Sequence, residues 1–309
     1  MSSIWTKFFP PKATWGVDQI PDLAGKVIIV TGGNTGIGKD TVRELLLHNA
    51  KVYIAGRSQE RVEAAIEELK TETGKEALFL HMDLANLTSI KLAVEEFRNK
   101  ETQLHVLFNS AGVMTPPIDE LTYDGYDLQF GTNVLGHFYL TKLLLPLLIA
   151  TAKTSPDGKA RVINTSSMSH EHASGIDYDS LRIGSRRKEL GTYRLYCQSK
   201  FGNVVFSNEL NRRYASQGIV SISLHPGIIK TELARHSWLP MNQLMFMFAY
   251  PSSTGALTQL YAGTSPEGAD LGGKYLMPWA RVVSPRTETD DPSVGSKLWT
   301  WLDQQVDGI

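Results

Sequence analysis

Val27-Ile28-Ile29-Val30-Thr31-Gly32-Gly33-Asn34-Thr35-Gly36-Ile37-Gly38 is the stretch of this chain that decides its fold. Five consecutive β-branched residues without polar alternation predict a strand buried on both faces. Glycines follow at once, and a helical pattern covers residues 36–49. Glycines let the backbone approach a bound anion closely, and a helix start offers amide donors to a pyrophosphate. A plain turn also uses glycine, but the strand–loop–helix order favours a dinucleotide-binding loop, with these candidate contacts: Gly32, Asn34, Thr35, Gly36, Ile37 and Gly38.

The same alternation of short apolar runs and longer amphipathic stretches continues along the chain. Strands are predicted at 27–31, 52–56, 77–82, 104–109, 161–166 and 220–225, with a weaker one at 274–277. Helices are predicted at 36–49, 59–73, 88–100, 125–148, 196–215 and 253–262. This order predicts an α/β class, single-domain Rossmann fold: a doubly wound parallel sheet of about seven strands with helices on both faces. The domain is expected to span 24–309, with 1–23 as an N-terminal leader packed on it.

Composition excludes several classes of protein. The chain has 309 residues and a formal net charge of −1, so no charge field would gather nucleic acid or anionic lipid. Cys197 is its one cysteine, which rules out an intramolecular disulfide or a cysteine metal cluster and fits a reducing compartment. No apolar window is long enough to predict a membrane span. A cytoplasmic protein is expected, with peripheral membrane contact of the aromatic leader as the alternative.

Motifs further along resemble those of the short-chain dehydrogenase/reductase family. The glycine loop has the spacing T-G-x-x-x-G-x-G, and Tyr196 and Lys200 form Y-x-x-x-K. The other matching positions are Asn109-Ser110-Ala111-Gly112 as N-x-A-G, Asn133, Ser167 and Pro226-Gly227. The resemblance covers roughly residues 24–280. Segments 34–39 and 165–170 look most like the retinol-dehydrogenase and WW-domain-oxidoreductase branch and its fungal relatives, although no WW module precedes the domain.

The end of the second predicted strand bears on the choice of nicotinamide cofactor. It reads Ala55-Gly56-Arg57-Ser58, without the carboxylate that usually bonds the ribose of NAD. Arg57 could pair with the 2′-phosphate of NADP, and Lys39 could add positive charge. We therefore expect NADP(H) rather than NAD(H). In the alternative, Arg57 is a surface residue paired with Glu60.

The family resemblance implies further cofactor contacts. Asp83 and Leu84 resemble the adenine-contacting pair, although Asp83 could instead cap the helix before Thr88. The floor under the adenosine ribose is expected from Asn109, Ala111 and Gly112. After the sixth strand, the segment with Pro226, Gly227, Ile229 and Thr231 resembles the one that holds the nicotinamide carboxamide.

Catalysis of hydride transfer to a carbonyl requires a proton donor at the carbonyl oxygen. Tyr196 has an ordinary pKa near ~10, and Lys200, one helical turn away, is expected to lower it and to share a polar stripe with Asn203 and Ser207. Ser167 is expected to bond the substrate oxygen, with Ser166 as its rival. The resemblance makes Asn133 the holder of a water linking Lys200 to solvent. Alternatively, Asn133 is an amide that satisfies a bent helix backbone.

The segment around 232–252 is apolar nearly all round and resembles a mobile substrate lid. It predicts a bulky apolar ketone, aldehyde or alcohol as substrate, and a membrane-contacting patch is the alternative. Candidate substrate contacts are Met168, His170, Tyr193, Trp238 and Met245. His170-Glu171-His172 lacks metal-site spacing, so no metal is expected.

These features together predict an NADP(H)-dependent oxidoreductase with Tyr196 as general acid and base. A nucleotide-binding regulatory protein without turnover and an NAD-preferring alcohol dehydrogenase are the alternatives. Helices 125–148 and 196–215 resemble those through which family members dimerise, so a homodimer is expected, and no nucleic-acid partner.

Overall fold

The computed structural model describes residues 10–230 and 249–309. Within them, eight strands form one sheet in the order β3-β2-β1-β4-β5-β6-β7-β8. Their bounds are Val27–Thr31, Lys51–Gly56, Leu78–His81, Val106–Asn109, Ala160–Thr165, Ile219–Leu224, Tyr275–Met277 and Arg281–Val283 (β1 to β8). The first seven are parallel, as predicted, and β8 adds an antiparallel edge beside β7 that the sequence pattern did not indicate.

Seven helices longer than two turns pack on the two faces of the sheet in the described part of the chain. Their bounds are Gly36–Leu47, Gln59–Thr73, Leu87–Lys100, Leu128–Thr154, Ser185–Tyr214, Ser252–Thr264 and Pro292–Gln305 (α1 to α7). The sheet is buried on both sides: all five residues of β1 are buried, and Ile28 and Ile29 belong to different apolar clusters. This explains why the first strand shows no polar alternation.

Helix α4 begins later and ends later than the predicted 125–148, and it is not regular. Residues Gly131–Gly136 form a π turn that contains Asn133. The helix is long and apolar enough to cross a membrane, but 67% of its most apolar window is buried inside the domain. It is therefore a core helix of the sheet domain.

Helix α5 begins eleven residues before the predicted start at 196, inside residues 174–192, a polar insertion in the sequence pattern for which no helix was predicted. Gly191 interrupts it with φ 72° and ψ 162°, so a short first segment precedes the long helix that carries Tyr196. Arg187 in that first segment forms an ion pair with Asp127, with Nε 3.0 Å from Oδ2 and both side chains at most 3% exposed. The insertion is thus anchored to the start of α4.

Helix α7 covers part of one of the two helices on which the homodimer expectation rests. Residues 195–210 of α5 are all buried, because the sheet covers one side and α7 the other. Trp299 of α7 contacts Phe138 of α4 and Phe206 of α5, with ring centroids 5.1 and 6.2 Å apart. This face of α5 is therefore covered within the chain itself, and the homodimer stays a prediction.

The part of the leader that the structure describes lies against the domain. Trp15 packs edge-on against Tyr261 of α6, and Ile20 and Leu23 are buried. Of the predicted lid, residues 232–248 lie outside the described residues. The chain resumes at Ala249, and Tyr250 pairs with Ile229 just before α6.

Candidate active site

The glycine loop has the close contacts that its sequence predicts. Gly32 and Gly36 have φ values of 66° and 52°, which favour glycine. A Cβ on Gly32 would lie 3.1 Å from Ala111, and one on Gly38 would overlap the carbonyl of Gly32. Helix α1 begins here, and its N-cap Thr35 makes no side-chain cap bond, which leaves the first amides available to an anion. The loop therefore fits a dinucleotide pyrophosphate.

The predicted 2′-phosphate contacts are partly corrected. Arg57 is exposed and makes no ion pair within the described residues, so the pairing with Glu60 is not observed. The side chain of Asn34 lies near Gly56, next to Arg57. Lys39, however, is bonded to Glu68 of α2, which offsets the charge it was expected to contribute. Arg57 remains the available cation.

The two predicted adenine contacts, Asp83 and Leu84, differ in which of their atoms could reach a ligand. The carboxylate of Asp83 accepts from the amide of Ala85 at 2.9 Å, while the N-cap of α3 is Asn86. The cap alternative for Asp83 was therefore wrong. Leu84 is 7% exposed and packs in the core, so its backbone is what it could offer to a ligand.

Asn109 does not point into the cleft. Its Nδ2 donates to Asn164 at 2.9 Å and to Thr141 at 3.2 Å, and the residue is 2% exposed. Its side chain therefore serves the core, so at this position the predicted floor under the ribose would be backbone. Ala111 and Gly112, by contrast, lie beside the glycine loop and the lysine: Ala111 faces Gly32, and a Cβ on Gly112 would lie 3.6 Å from Lys200 Nζ.

Ser167, Tyr196 and Lys200 come together where the carboxyl end of β5 meets α5. Ser167 lies two residues after the end of β5, and its side chain is beside the Tyr196 phenol. Lys200 Nζ donates to the carbonyl of Thr165 at 3.0 Å and lies 5.8 Å from the centre of the Tyr196 ring. Ser166 turns the other way and donates to the carbonyl of Lys200 at 2.7 Å. Alternation along the strand thus favours Ser167 over its rival.

Electrostatics at this cluster differ from the expectation. Burial raises the pKa of the Tyr196 phenol well above its ordinary value, and the hydrogen bond with Ser167 opposes this in part. Lys200 is itself buried, which lowers its pKa to about 8. In the protein alone, burial outweighs the expected acidification of the phenol by Lys200. A protonated tyrosine beside an ammonium group is the state that this environment favours near neutral pH.

Both polar atoms of the Asn133 side chain and its backbone carbonyl form hydrogen bonds. Its Oδ1 accepts from the amide of Val113 at 2.8 Å, and its Nδ2 donates to the Val113 carbonyl and to Ser199, both at 3.0 Å. Its own carbonyl accepts from Asn203 at 2.7 Å and from His137 at 3.0 Å. The amide therefore clasps the segment after β4, and Asn203 serves the bent backbone. The water relay to Lys200 stays a prediction.

The predicted polar stripe on α5 is corrected in the same way. Asn203 and Ser207 are buried and bond Asn133 and Ser221, so they face the sheet and α4 rather than the cleft.

The predicted substrate contacts differ in their exposure to the cleft. Met168 is half-buried beside Ser167, and Tyr193 is 48% exposed, so both remain candidates. His170 is fully buried; its Nδ1 lies 2.7 Å from the Ser167 carbonyl, and its Nε2 accepts from the Arg286 amide at 3.4 Å. The His170 ring therefore packs on the side of Ser167 that faces away from the cleft, and it does not line the cleft. His172 bonds Tyr193 instead, and the described residues hold no group of three metal-ligating side chains.

The segment after β6 approaches the glycine loop. Pro226 is buried, and Gly227 has φ 104° and packs against Pro278 and Trp279. A Cβ on Gly255 would lie within about 3 Å of both Ile229 and Ile37, so these two predicted cofactor contacts are neighbours. Thr231, Trp238 and Met245 lie outside the described residues.

Two buried residues that sequence reasoning missed connect these parts. Thr31 Oγ accepts from the amides of Ser110 and Ala111, both at 2.9 Å, and lies 3.0 Å from His137 Nε2. The threonine was visible in the T-G motif, but nothing in the pattern around His137 indicated a polar partner.

Comparisons with known proteins agree with this geometry. The family model for short chain dehydrogenase matches residues 26–178. A short-chain dehydrogenase/reductase of Armillaria gallica is 54% identical over 308 residues, which cover 99% of each chain. Retinol dehydrogenase 12 of Homo sapiens is 39% identical over 281 residues, covering 90% of this chain and 85% of that protein.

A crystal structure of a protein from Mycobacterium paratuberculosis superposes with a TM-score of 0.75 at 30% identity, covering 95% of this chain and 98% of that one. The glycine loop, the Tyr196–Lys200 pair and the relatives' similarity over nearly the whole length point the same way. The chain belongs to the short-chain dehydrogenase/reductase family, in its retinol-dehydrogenase-like branch, and is an NAD(P)-dependent oxidoreductase.

Proposed function

We propose that this protein is an NADP(H)-dependent oxidoreductase that acts on a bulky apolar ketone or aldehyde, or on the corresponding alcohol. The observation that carries the proposal is the cluster of Ser167, Tyr196 and Lys200 near the end of β5, with the Ser167 side chain beside the phenol and Ser166 turned away. The glycine loop opens at the same edge of the sheet.

The nicotinamide, when bound, supplies or accepts the hydride. In reduction, the Tyr196 phenol donates its proton to the substrate oxygen, and its raised pKa keeps that proton in place at neutral pH. Ser167 Oγ bonds the same oxygen and stabilises its developing negative charge. Lys200 holds positive charge beside the tyrosine and favours the phenolate once the proton has left.

Preference for NADP(H) is supported by one exposed cation. Arg57 directly follows β2 and makes no ion pair in the described residues, and the next residue, Ser58, carries no carboxylate either. We expect Arg57→Asp to weaken NADPH binding by about tenfold or more and to leave NADH nearly unaffected, because it replaces a charge-assisted bond with repulsion. Titration of both cofactors by fluorescence measures this. Arg61→Asp, on the first turn of α2, is the matched control for net charge, and an equal effect of both variants would contradict a direct contact of Arg57.

The apolar substrate class is supported by the composition of residues 232–252, which include Trp238 and Met245. It is also supported by the name of the relative retinol dehydrogenase 12, since retinol is a large apolar alcohol.

The test is consumption of NADPH with a panel of lipophilic ketones and aldehydes, and of NADP with the matching alcohols. Tyr196→Phe should lower turnover by about 10²–10⁴-fold while leaving NADPH affinity nearly unchanged, because it removes only the phenolic proton. No turnover with any member of the panel, together with tight NADPH binding, would instead favour a regulatory protein. Undiminished turnover of Tyr196→Phe would remove the mechanism.

A further inference from the structure

A buried histidine lies between the cofactor loop and the catalytic helices. His137 is 1% exposed and directly follows the π turn of α4. Its Nδ1 is 3.0 Å from the carbonyl of Asn133, and its Nε2 is 3.0 Å from Thr31 Oγ. One ring therefore bridges the end of β1 and the residue that clasps the segment after β4.

The hydrogen bonds determine which nitrogen carries the proton. A carbonyl only accepts, so Nδ1 donates to Asn133. Both lone pairs of Thr31 Oγ are taken by the amides of Ser110 and Ala111. Its own proton therefore goes to Nε2 at 3.0 Å, or to the Phe108 carbonyl at 3.3 Å. Burial lowers the pKa of His137 to about 4, so the ring stays neutral at physiological pH.

The carbonyl that His137 bonds has lost its usual helical partner. In the π turn the amide of His137 bonds Val134 rather than Asn133. Two buried side chains replace that amide: His137 on one side and Asn203, at 2.7 Å, on the other. Unpaired carbonyls in a buried helix are costly, so these two donors stabilise the distorted turn.

The π turn also sets the position of groups around Lys200. Asn133 holds the amide and carbonyl of Val113, and a Cβ on Gly112 would lie 3.0 Å from Asn133 Oδ1 and 3.6 Å from Lys200 Nζ. Asn133 also bonds Ser199, the residue before Lys200. A shift of the turn would therefore change the spacing between Gly112 and the ammonium group.

We propose that His137 is a positioning residue that, through its Nδ1 bond to Asn133, keeps the π turn, the segment 112–113 and Lys200 in their reactive arrangement. Its effect on turnover rests on the proposed function, whereas its effect on the Val113 amide does not.

Three substitutions separate the two contacts of the ring. The Nδ2 of asparagine can take the place of the histidine Nδ1, and the end of glutamine can take the place of Nε2. His137→Asn should keep kcat within about threefold, because Thr31 can turn its proton to Phe108. His137→Gln and His137→Leu should lower kcat about tenfold or more, with NADPH affinity changed by less than about threefold.

Hydrogen exchange of the Val113 amide gives a readout that needs no substrate. We expect it to accelerate in His137→Gln and His137→Leu and to stay slow in His137→Asn. This measurement decides the positioning role even if the wild-type protein reduces none of the carbonyls tested, which would count against the proposed function alone.

Three outcomes would overturn the inference: normal kcat and Val113 exchange in His137→Leu, equal losses in His137→Asn and His137→Leu, or a fall in kcat matched by an equal loss of NADPH affinity. Should the His137 variants fail to fold, Asn203→Leu removes the second donor to the same carbonyl. It should give the same loss of kcat and faster Val113 exchange, and wild-type values for both would equally contradict the proposal.

Discussion

Two of the buried cations in the described part of the chain, Arg187 and Lys200, have opposite surroundings. Arg187 is paired with Asp127 at 3.0 Å and also donates to the Glu120 carbonyl at 2.6 Å. Lys200 is 4% exposed, donates to the carbonyl of Thr165 and has no ion pair within the described residues. The paired cation anchors one segment to another, and the unpaired one lies beside a buried phenol. A buried charge without a counterion costs stability, which agrees with the catalytic role proposed for Lys200.

The largest expected effect is that of Lys200→Met. It should lower turnover by about 10²–10⁴-fold, because the phenolate of Tyr196 loses the charge that favours it. Stability should stay equal or rise by up to about 3 kcal/mol at pH 7, since the burial that lowers the lysine pKa to about 8 no longer opposes folding. Steady-state kinetics and urea denaturation measure the two effects.

The sign of the pH dependence gives a control for Lys200→Met. Between pH 8 and 10 the unfolded lysine binds more protons than the folded one, so the wild type gains stability as pH rises and the variant does not. The excess in unfolding free energy of Lys200→Met over the wild type should therefore decrease as pH rises. A difference that widens over this range would contradict an unpaired, buried ammonium.

For Arg187→Met we expect the reverse, a large loss of stability with little change in turnover. It leaves Asp127 buried without its partner, which is expected to destabilise the fold by about 3–5 kcal/mol. Turnover per folded molecule should remain within about threefold, because Arg187 touches none of the catalytic side chains.

The double variant Arg187→Met with Asp127→Asn sharpens this test. Asparagine keeps the cap on α4 but carries no charge, so the double variant should be more stable than Arg187→Met alone. If the single and double variants lose equal stability, packing of the arginine rather than its charge decides the effect.

The smallest expected effect concerns His137, which is buried in neutral form. Its pKa is about 4 in the folded protein, below its ordinary value, so acid favours the unfolded chain as pH falls from about 6.5 towards 4. Between pH 7 and 5, the wild type should lose about 2 kcal/mol more stability than His137→Asn. Urea midpoints at both pH values give the comparison, and parallel losses would show that His137 titrates normally.

Local sequence was enough to predict most of the sheet and the residues that meet at the candidate active site. The apolar β-branched run at 27–31 predicted a buried parallel strand, and the T-G-x-x-x-G-x-G and Y-x-x-x-K motifs predicted which residues meet at the strand ends. The antiparallel β8 was missed, because three half-exposed residues carry too little pattern to predict a strand.

What the sequence by itself determined is chemistry tied to spacing: glycines where the backbone must come close, and a tyrosine and a lysine one helical turn apart. Only the tertiary structure decided which polar side chains face the cleft. Asn109, His170 and Asn203 have the same polarity as true cleft residues, but neighbours distant in sequence turn them inward. It also decided that burial, rather than Lys200, dominates the pKa of Tyr196, since desolvation depends on everything packed around a group and not on the residue four places along.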